Sequence, residues 1–577
     1  MTPPPDAPTD AAGAPPALTD GFNVLVDALI ANDVETIYGV VGIPVTDLAR
    51  LAQARGIRYI GFRHEAAAGN AAAIAGYLTQ RPGVCLTVSA PGFLNGMVSL
   101  AAATVNCFPM IQISGSSDRA IVDLSRGDYE ELDQFNAAKP FAKAAYRVER
   151  PEDIGLAVAR AVRTAVSGRP GGVYLDIPSA VLSATMDASA AAGSIWAPVD
   201  PAPAQLPDAA SIDRALGLLA AADKPLVVLG KGAAYARAEE QIREFIERTD
   251  LPYQPMSMAK GLLPDDHPNS TAAARSLALA EADVVLLVGA RLNWLLAQGE
   301  PPHWNPDAKF IQVEVSATEL DSNRPIAAPL CGDIASVMTA MVAALDTTPV
   351  ATPRAWIEQL DAKKTENAQK MAARLAADHT PMAYDGALGV LKGIIDDHPD
   401  TYLVNEGANT LDIARDVVDI HLPRHRLDTG TWGVMGVGLG YAIATAIETG
   451  GKVIALEGDS AFGFSGMEVE TICRYHLPIV VVVFNNGGIY KGDGVNAASS
   501  DPAPTVLDAS ARYDKVIEAF GGTGYDVADP PSFDRALRDA LGAGVPALIN
   551  VAIDPTAGTE SGHLSSFNPT PSAPPES

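Results

Sequence analysis

Short runs of β-branched residues alternate with Ala-rich amphipathic stretches along most of this sequence. The alternation predicts parallel β-sheets covered by helices, because parallel strands are joined by crossover helices and are buried on both faces. The strands predicted on this basis are Thr36–Val41, Val84–Ser89, Met110–Ser114, Pro225–Leu229, Val284–Val288, Phe310–Val315, Val453–Glu457, Ile479–Phe484 and Ala547–Ile553. The sequence therefore predicts an α/β fold.

Two breaks rich in Pro and Ala, Ala197–Pro207 and Asp346–Pro353, divide the chain into three units. We therefore expect three consecutive α/β domains with mainly parallel sheets, the central one of a nucleotide-binding, Rossmann-like type. The expected bounds are a disordered tail over 1–18, a first domain over 19–190, a central domain over 206–345, a third domain over 382–555, and a C-terminal lid and tail over 556–577.

Composition limits the partners and the compartment. The formal charge of -28 disfavours nucleic acid, because phosphate binding requires an excess of Lys and Arg. Met1–Leu18 lacks the basic start and apolar run of a signal peptide, and no apolar run reaches the roughly 18 residues of a membrane span. The four cysteines form no C-x-x-C pair, which disfavours a zinc site or disulfide framework. We expect a cytoplasmic protein.

Two polar segments follow neighbouring predicted strands. Gly458–Phe462 reads G-D-S-A-F, and Asn485–Gly488 reads N-N-G-G. The carboxyl ends of parallel strands meet at one sheet edge, so both segments are expected to lie together there. Carboxylate and amide oxygens suit Mg²⁺, and Gly and Ser let backbone amides approach a phosphate. Either segment alone would more often be a turn or hairpin signal.

Together the two segments resemble the cofactor motif of thiamine-diphosphate-dependent enzymes, with Ser460 where a third glycine is more usual. The resemblance implies thiamine diphosphate and Mg²⁺ as cofactors. It assigns the metal to the side chains of Asp459 and Asn486 and to the backbone carbonyl of Gly488, and it places Ser460 and Ala461 against the cofactor.

Two further segments fit the same resemblance. Glu65 begins an Ala-rich stretch and would otherwise be an ordinary acid at a helix start. The resemblance makes Glu65 the carboxylate that hydrogen-bonds the aminopyrimidine ring and activates the cofactor. The glycine density between Gly430 and Gly440 permits close backbone approach, although helix packing would also explain it. Here the resemblance implies that Gly433, Val434 and Met435 contact the cofactor, with Met435 supporting its bent shape.

More stretches resemble one family, the oxalyl-CoA decarboxylases. They are Tyr38–Pro44, Ser89–Gly96, Gly127–Glu131, Asn405–Asn409, Gly463–Tyr475 and Asn485–Gly492. This resemblance spans Leu18 to about Gly562 and implies conversion of oxalyl-CoA to formyl-CoA and carbon dioxide, in oxalate degradation. It also implies a homo-oligomer, a dimer of dimers, in which Glu65 of one subunit and Asp459 of another complete each site.

The resemblance implies further site residues that the bare sequence would not single out. Catalytic roles fall on Glu65, Tyr129, Glu130, Tyr490 and Ser561, of which Tyr129 and Glu130 order a water for protonation. Cofactor contacts fall also on Tyr384, Gly407, Ala408, Asn409 and Tyr490. The CoA moiety is assigned to Arg275, Asn367, Arg415 and Ser561, and an activating ADP to Arg169, Lys231, Arg291 and Glu314. His563 stands where the family has Arg, so its role is open.

Three alternatives compete with this interpretation. A 2-hydroxyacyl-CoA lyase shares the fold, the cofactor and a CoA ester but releases an aldehyde, and the Tyr129-Glu130-Glu131 triplet favours the decarboxylase. An acetolactate synthase would use pyruvate and normally a flavin in the central domain. A non-catalytic, cofactor-binding oligomer would be expected to lack Glu65 or Asp459, and both are present.

Overall fold

The computed structural model describes residues 17–376, 379–490, 500–508 and 510–559. Within these ranges three α/β domains with parallel sheets follow one another along the chain, as predicted. Ser561 and His563, most of the expected lid and most of the expected N-terminal tail lie outside the described residues. No helix in the described ranges has both the length and the apolar character needed to cross a bilayer.

The first domain contains a parallel sheet with the order β3-β2-β4-β5-β7-β6. Its strands are β1 (Leu18–Asp20), β2 (Thr36–Gly39), β3 (Arg58–Gly61), β4 (Gly83–Thr87), β5 (Met110–Ser116), β6 (Ala144–Arg147), β7 (Gly172–Pro178) and β8 (Thr185–Asp187). Its helices are α1 (Gly21–Ala31), α2 (Thr46–Ala54), α3 (Glu65–Thr79), α4 (Pro91–Asn106), α5 (Arg119–Val122), α6 (Gln134–Ala138), α7 (Ile154–Val166), α8 (Ser179–Ser183) and α9 (Ala188–Ser194).

The bounds predicted for the first domain need two corrections. Leu18 was assigned to the tail, but it belongs to β1, which pairs antiparallel with β8. At the other end, α9 continues to Ser194, beyond the predicted limit of Ala190. Backbone pairing between β1 and β8 joins the two ends of the domain. Amino-acid composition alone does not predict this pairing, because the two strands are far apart in the sequence.

The central domain has the parallel strand order β10-β9-β11-β12-β13, which confirms the nucleotide-binding type of fold. Its strands are β9 (Pro225–Leu229), β10 (Tyr253–Pro255), β11 (Val284–Val288), β12 (Lys309–Glu314) and β13 (Ile326–Cys331). Its helices are α10 (Ala209–Ala220), α11 (Lys231–Tyr235), α12 (Glu239–Thr249), α13 (Arg275–Glu281) and α14 (Ile334–Ala344).

A long helix, α15 (Arg354–Leu375), follows the second predicted break and leads towards the third domain. Trp356 near its start is buried, and its indole Nε1 donates to Pro225 O at 3.0 Å, which fixes the helix to the central sheet. Near its end, Arg374 pairs with Asp385 of the third domain at 2.9 Å. The sequence alone does not predict this helix, because its residues are largely polar and show little amphipathic pattern.

The third domain repeats the strand order of the first, as β15-β14-β16-β17-β19-β18, again all parallel. Its strands are β14 (Tyr402–Asn405), β15 (Arg426–Asp428), β16 (Val453–Gly458), β17 (Ile479–Asn485), β18 (Thr523–Val527) and β19 (Ala547–Ala552). Its helices are α16 (Tyr384–Asp397), α17 (Asn409–Val417), α18 (Gly438–Thr449), α19 (Asp459–Ser465), α20 (Val469–Arg474), α21 (Asp514–Glu518) and α22 (Pro530–Ala543).

Strand β17 shows why the sheet forms where the sequence predicts it. Its residues Ile479–Asn485 are all buried, and six of the seven are β-branched or aromatic side chains that suit a strand covered on both faces. Burial of each large apolar side chain contributes roughly 1.5–3 kcal/mol. The strand therefore holds its polar carboxyl end, Asn485, at a fixed place on the sheet edge.

Candidate cofactor and nucleotide sites

Asp459 lies at the centre of the predicted diphosphate site. Its Oδ2 accepts hydrogen bonds from the amides of Gly487 at 2.8 Å and Gly488 at 3.1 Å, and its Oδ1 accepts from Ser460 N at 2.7 Å. Burial raises the pKa of Asp459 to about 6, and these amides oppose that shift. The segments Gly458–Phe462 and Asn485–Gly488 therefore lie together at the carboxyl ends of β16 and β17, as the sequence predicts.

Asn486 completes the oxygen donors expected for a divalent cation. Its Nδ2 donates to Tyr490 O at 2.7 Å, which leaves Oδ1 for another partner. Tyr490 has a positive φ of 59°, so the chain turns sharply after Gly488. A carboxylate, an amide oxygen and a backbone carbonyl are hard ligands, and these residues fit Mg²⁺ with an attached diphosphate.

The segment Gly407–Asn409 lies beside this cradle. A Cβ on Gly407, whose φ is +117°, would lie 3.2 Å from the amide of Gly458, so the two backbones approach closely. Asn409 begins α17, and its side chain hydrogen-bonds Tyr384, whose pKa is raised by burial and by the nearby Asp459. Five predicted cofactor residues, Tyr384, Gly407, Ala408, Asn409 and Asp459, are thus close together.

The first residues of the expected lid reach the same place. Asn409 Oδ1 accepts from Thr559 N at 3.1 Å, and Asn409 Nδ2 donates to Thr559 O at 3.2 Å. A Cβ on Gly558 would lie 2.7 Å from Asn409 Nδ2, which explains a glycine at this position. The C-terminal segment therefore starts directly over a predicted cofactor residue.

The glycine-dense segment forms a loop that leads into α18. Gly433 is exposed, and Val434 and Met435 are half-buried. The buried Glu406 accepts from the amides of Gly436 and Gly438, so one carboxylate holds the backbone that directly follows Met435. A Cβ on Gly438 would lie 2.3 Å from Glu457 Oε1, and burial raises the pKa of both Glu406 and Glu457.

Glu65 is the first residue of α3 and is buried. Its Oε2 accepts from Asn95 Nδ2 at 3.0 Å, and its Oε1 would lie 3.2 Å from a Cβ on Gly92. His64 Nδ1 caps the helix by accepting from Ala66 N at 3.1 Å. These contacts of Glu65 are within the first domain, whereas Asp459 lies in the third.

Tyr129 and Glu130 lie on the loop before α6. Tyr129 is 79% exposed, so its ring extends into solvent. Glu130 is half-buried, and the hydroxyl of Ser89 donates to its Oε2. Ser89 immediately precedes Ala90 and α4, the helix that also carries Asn95 against Glu65. The segment Ser89–Asn95 at the start of α4 therefore contacts both acids, Glu130 through Ser89 and Glu65 through Asn95.

The residues predicted for the CoA moiety lie around α13, α15 and α17. Asn367 Nδ2 donates to Ala273 O at 2.7 Å, two residues before Arg275. Burial lowers the pKa of Arg275, and the nearby Asp416, the neighbour of Arg415, opposes the shift. Arg415 itself pairs with Asp412 at 3.2 Å and with the buried Asp428 at 3.4 Å. The structure thus groups all three residues, with Arg415 already paired to two carboxylates.

The four residues predicted for ADP line one cavity of about 440 Å³ at the carboxyl ends of the central strands. Arg169 donates to Cys107 Sγ at 2.9 Å and pairs with Glu319, which lies 3.8 Å from Arg291. Glu314 Oε1 accepts from Val315 N at 2.9 Å, and burial raises the pKa of Glu314. The cavity offers two guanidinium groups to an anion and a carboxylate to hydroxyl groups.

Sequence reasoning missed several polar residues that hold these loops, among them Glu319, Glu406, Glu457, Glu468 and Asn106. Each is isolated in sequence from the residue that it supports. Glu406 lies in the segment Asn405–Asn409, which the resemblance did single out, so that segment was the available signal for it. Glu468 lies likewise in the singled-out segment Gly463–Tyr475, and for Glu319, Glu457 and Asn106 no local pattern indicates a role.

Three family models match the chain. They describe the N-terminal, central and C-terminal domains of thiamine pyrophosphate enzymes, and they cover residues 19–137, 212–341 and 407–551. The chain is 60% identical to an oxalyl-CoA decarboxylase of Escherichia coli strain K12 over 553 residues, which are 96% of this chain and 98% of that protein.

Two other relatives carry a different name. The chain is 45% identical to a 2-hydroxyacyl-CoA lyase of Oryza sativa subsp. japonica over 97% of this chain and 100% of that protein. It is 42% identical to 2-hydroxyacyl-CoA lyase 1 of Homo sapiens over 93% of this chain and 95% of that protein. All of these matches extend across the three domains.

Proposed function

The chain belongs to the thiamine pyrophosphate enzyme family, and from that premise we propose that it decarboxylates oxalyl-CoA to formyl-CoA and carbon dioxide, in the degradation of oxalate. The observation that carries the proposal is the 60% identity to an oxalyl-CoA decarboxylase over nearly the whole of both chains. The 2-hydroxyacyl-CoA lyases share less, at 45% and 42%. The enzyme is a carbon–carbon lyase.

Asp459, Asn486 and the Gly488 carbonyl would hold Mg²⁺ for the diphosphate of thiamine diphosphate. Ser460 and Ala461 line the start of α19, whose amides suit a phosphate. Thiamine diphosphate, when bound, supplies the electron sink that decarboxylation of an oxalyl thioester requires. Met435 supports the cofactor from the loop that Glu406 fixes at Gly436 and Gly438.

Glu65 holds the proton that activates the cofactor ring, and its burial suits a carboxyl that must bind a ring nitrogen away from bulk water. Glu130, oriented by Ser89, and Tyr129 order the water that protonates the product carbon. Tyr490 and Ser561 contact the thioester. Thr559, bonded to Asn409, marks where the segment that carries Ser561 approaches the cofactor.

Arg275 and Asn367 bind the phosphates of the CoA moiety, and Arg415 assists them from α17. A guanidinium group recognises phosphate through paired hydrogen bonds. The contact of Asn367 with Ala273 and the position of Asp416 near Arg275 support this grouping. Arg415 shares its charge with Asp412 and Asp428, so its contribution to phosphate binding is the smaller one.

ADP binds in the cavity of the central domain and activates the enzyme. Arg169 and Arg291 face its phosphates, Lys231 lies at the cavity wall, and Glu314 accepts the ribose hydroxyls. The strand order of this domain supports the assignment, because ligands of doubly wound sheets bind at the carboxyl ends of the strands.

The enzyme is a homo-oligomer, a dimer of dimers, in the cytoplasm, and two subunits complete each active site. Helix α4 supports this proposal, because Leu94, Val98 and Val105 are exposed apolar side chains on the helix that holds Asn95 against Glu65. The exposed Phe464 and Met467 follow Asp459 in the third domain. Apolar surface next to both halves of the site suits burial against a second copy.

One assay tests the function against its nearest alternative. Purified protein with thiamine diphosphate and Mg²⁺ receives oxalyl-CoA in one reaction and a 2-hydroxyacyl-CoA in another. We expect formyl-CoA and carbon dioxide in equal amounts from the first, and little aldehyde from the second. Aldehyde release that exceeds carbon dioxide release would make the chain a 2-hydroxyacyl-CoA lyase and not a decarboxylase.

A further inference from the structure

The side chain of Asn106, the last residue of α4, connects all three domains. It is 1% exposed. Its Oδ1 accepts from Lys231 Nζ of the central domain at 2.8 Å and from Thr431 N of the third domain at 2.7 Å. Its Nδ2 donates to Thr429 O at 3.1 Å. One buried amide thus makes three hydrogen bonds, and both of its ends hold the segment 429–431.

This segment lies directly before the cofactor loop Gly433–Met435. Gly430 has a φ of +69°, and a Cβ there would lie 2.3 Å from Asn106 Oδ1, so the close approach requires glycine. Thr431 also accepts from Lys231 Nζ through its Oγ1 at 3.2 Å and from Trp294 Nε1 through its carbonyl at 2.8 Å. The start of the cofactor loop is therefore held by the first and central domains.

Asn106 and Lys231 also line the nucleotide cavity, together with Arg169 and Arg291. Lys231 donates out of the central domain, towards Asn106 and Thr431. The pKa of Lys231 is lowered to about 7, chiefly by burial, with Cys107 opposing the shift and Arg291 and Arg169 adding to it. An anion in the cavity would favour the charged ammonium form, whose hydrogen bonds are stronger than those of a neutral amine.

We propose that Asn106 is a positioning residue for the cofactor loop and that, with Lys231, it couples binding of an adenine nucleotide in the central cavity to the affinity for thiamine diphosphate. The inference rests on the proposed function for the two ligands and adds the connection between their sites. Nucleotide phosphate keeps the Lys231 ammonium group charged. The charged group then forms stronger hydrogen bonds with Asn106 and Thr431. As a result, the loop that carries Met435 is ordered before the cofactor binds. Such coupling is reciprocal, so the cofactor must tighten nucleotide binding by the same factor.

The test measures binding and does not depend on turnover. Thiamine diphosphate with Mg²⁺ is titrated into the cofactor-free full-length protein, without and with saturating ADP, and tryptophan fluorescence is followed, because Trp432 lies next to Thr431. In the wild-type protein we expect ADP to lower the cofactor Kd by on the order of 5-fold or more, and the converse titration to give the same factor.

The coupling factor is the ratio of the cofactor Kd without ADP to the cofactor Kd with ADP. Asn106→Leu should still bind both ligands, and its coupling factor should be near one. Asn106→Asp keeps an acceptor for Lys231 and Thr431, but its carboxylate holds Lys231 charged even without nucleotide. ADP should then change the cofactor Kd little while the cofactor still binds, which a general folding defect would not allow. Thr431→Val removes only the Oγ1 acceptor and should lower the coupling part of the way. Lys231→Met should abolish it, whereas Lys224→Met, which removes a half-exposed lysine paired with Glu281 in the same domain, should leave it intact.

The outcomes separate this inference from the proposed function. Wild-type coupling in Asn106→Leu, or in Thr431→Val if the first variant does not fold, would overturn the inference alone. Binding of both ligands to the wild-type protein without mutual effect would do the same. Failure of ADP to bind the wild-type protein would overturn the inference together with the nucleotide site, while the decarboxylase assignment would stand on its own assay.

Discussion

The carboxylate of Glu468 accepts a hydrogen bond from the backbone amide of His64 at 3.0 Å, and the same Oε1 accepts from Arg63 N at 3.1 Å. Glu468 belongs to the third domain, and His64 is the capping residue directly before Glu65. The domain that carries the predicted metal site therefore also fixes the backbone that leads into the helix of the first domain that begins at Glu65.

Glu468 should make stability depend on pH. Burial raises its pKa to about 7 from the ordinary value of 4.5, and the bonds from Thr471, Arg63 and His64 oppose the shift. In the window from 4.5 to about 7 the folded state binds the proton that the unfolded state has lost, so the free energy of unfolding falls as pH rises, by at most roughly 1.4 kcal/mol per pH unit. Glu468→Gln should flatten that fall in thermal melts recorded across this window.

The matched control for this change is Glu470→Gln. Glu470 lies two residues away and pairs with Arg474 at the surface. If Glu468→Gln and Glu470→Gln show the same pH dependence as the wild-type protein, the buried carboxyl does not titrate in this range.

Asp459→Ala should weaken retention of thiamine diphosphate by roughly 10- to 100-fold, because a metal ligand and the acceptor of three amides are lost together. Titration of cofactor-free protein at fixed Mg²⁺ measures the change. Asp534→Ala, which removes a surface partner of Arg538, is the control. An unchanged cofactor Kd in Asp459→Ala would refute the metal site.

Glu65→Ala should lower turnover by roughly 10²–10⁴-fold while leaving the cofactor Kd nearly unchanged, because the diphosphate is held in the third domain. Glu35→Ala, an exposed acid of the same domain, is the control. Turnover near that of the wild-type protein would exclude Glu65 as the activating group.

Mixing the Glu65→Ala and Asp459→Ala proteins tests whether subunits share each site. After subunit exchange, verified with differently tagged chains, one site in a mixed dimer regains both residues and some activity should return. Continued inactivity of verified mixed dimers would mean that each chain supplies its own Glu65 and Asp459.

Ending the chain after Pro555 should leave binding of cofactor and Mg²⁺ intact but greatly reduce formation of formyl-CoA. The truncation removes Thr559, which bonds Asn409, and the predicted Ser561. A closing segment contributes by positioning the ester and excluding water. A chain ending after Asn568 serves as the control, and wild-type turnover in the shorter protein would reduce the segment to a tail.

Local patterns were sufficient to predict much of the architecture. The apolar run at β17 and the turn residues after it predicted both a strand and the position of Asn486, because a buried strand fixes where its end lies. The three α/β domains and the central nucleotide-type sheet are confirmed in this way, and Asp459 contacts Gly487 and Gly488. The assignment of Mg²⁺ to Asp459, Asn486 and Gly488 stays a prediction.

Other features depend on contacts between distant parts of the chain. Asn106 and Thr431 are 325 positions apart, and Glu468 and His64 are 404 apart, so no window of sequence contains both partners. The short strands β1 and β8 acquire their structure only by pairing with each other. The assignment to Ser561 stays a prediction and the role of His563 stays open, since both residues lie outside the described ranges.

The identical strand orders of the first and third domains indicate a common evolutionary origin of these two domains. Helices α3 and α18 each follow the second strand of their sheet, and they meet where a Cβ on Gly440 would lie 2.6 Å from Ala67 O. The polypeptide thus contains two units of one strand order, as expected when a gene for one such unit is duplicated and its copies are fused around a third domain. The two units differ in the predicted site residue that each carries, Glu65 in the first domain and Asp459 in the third.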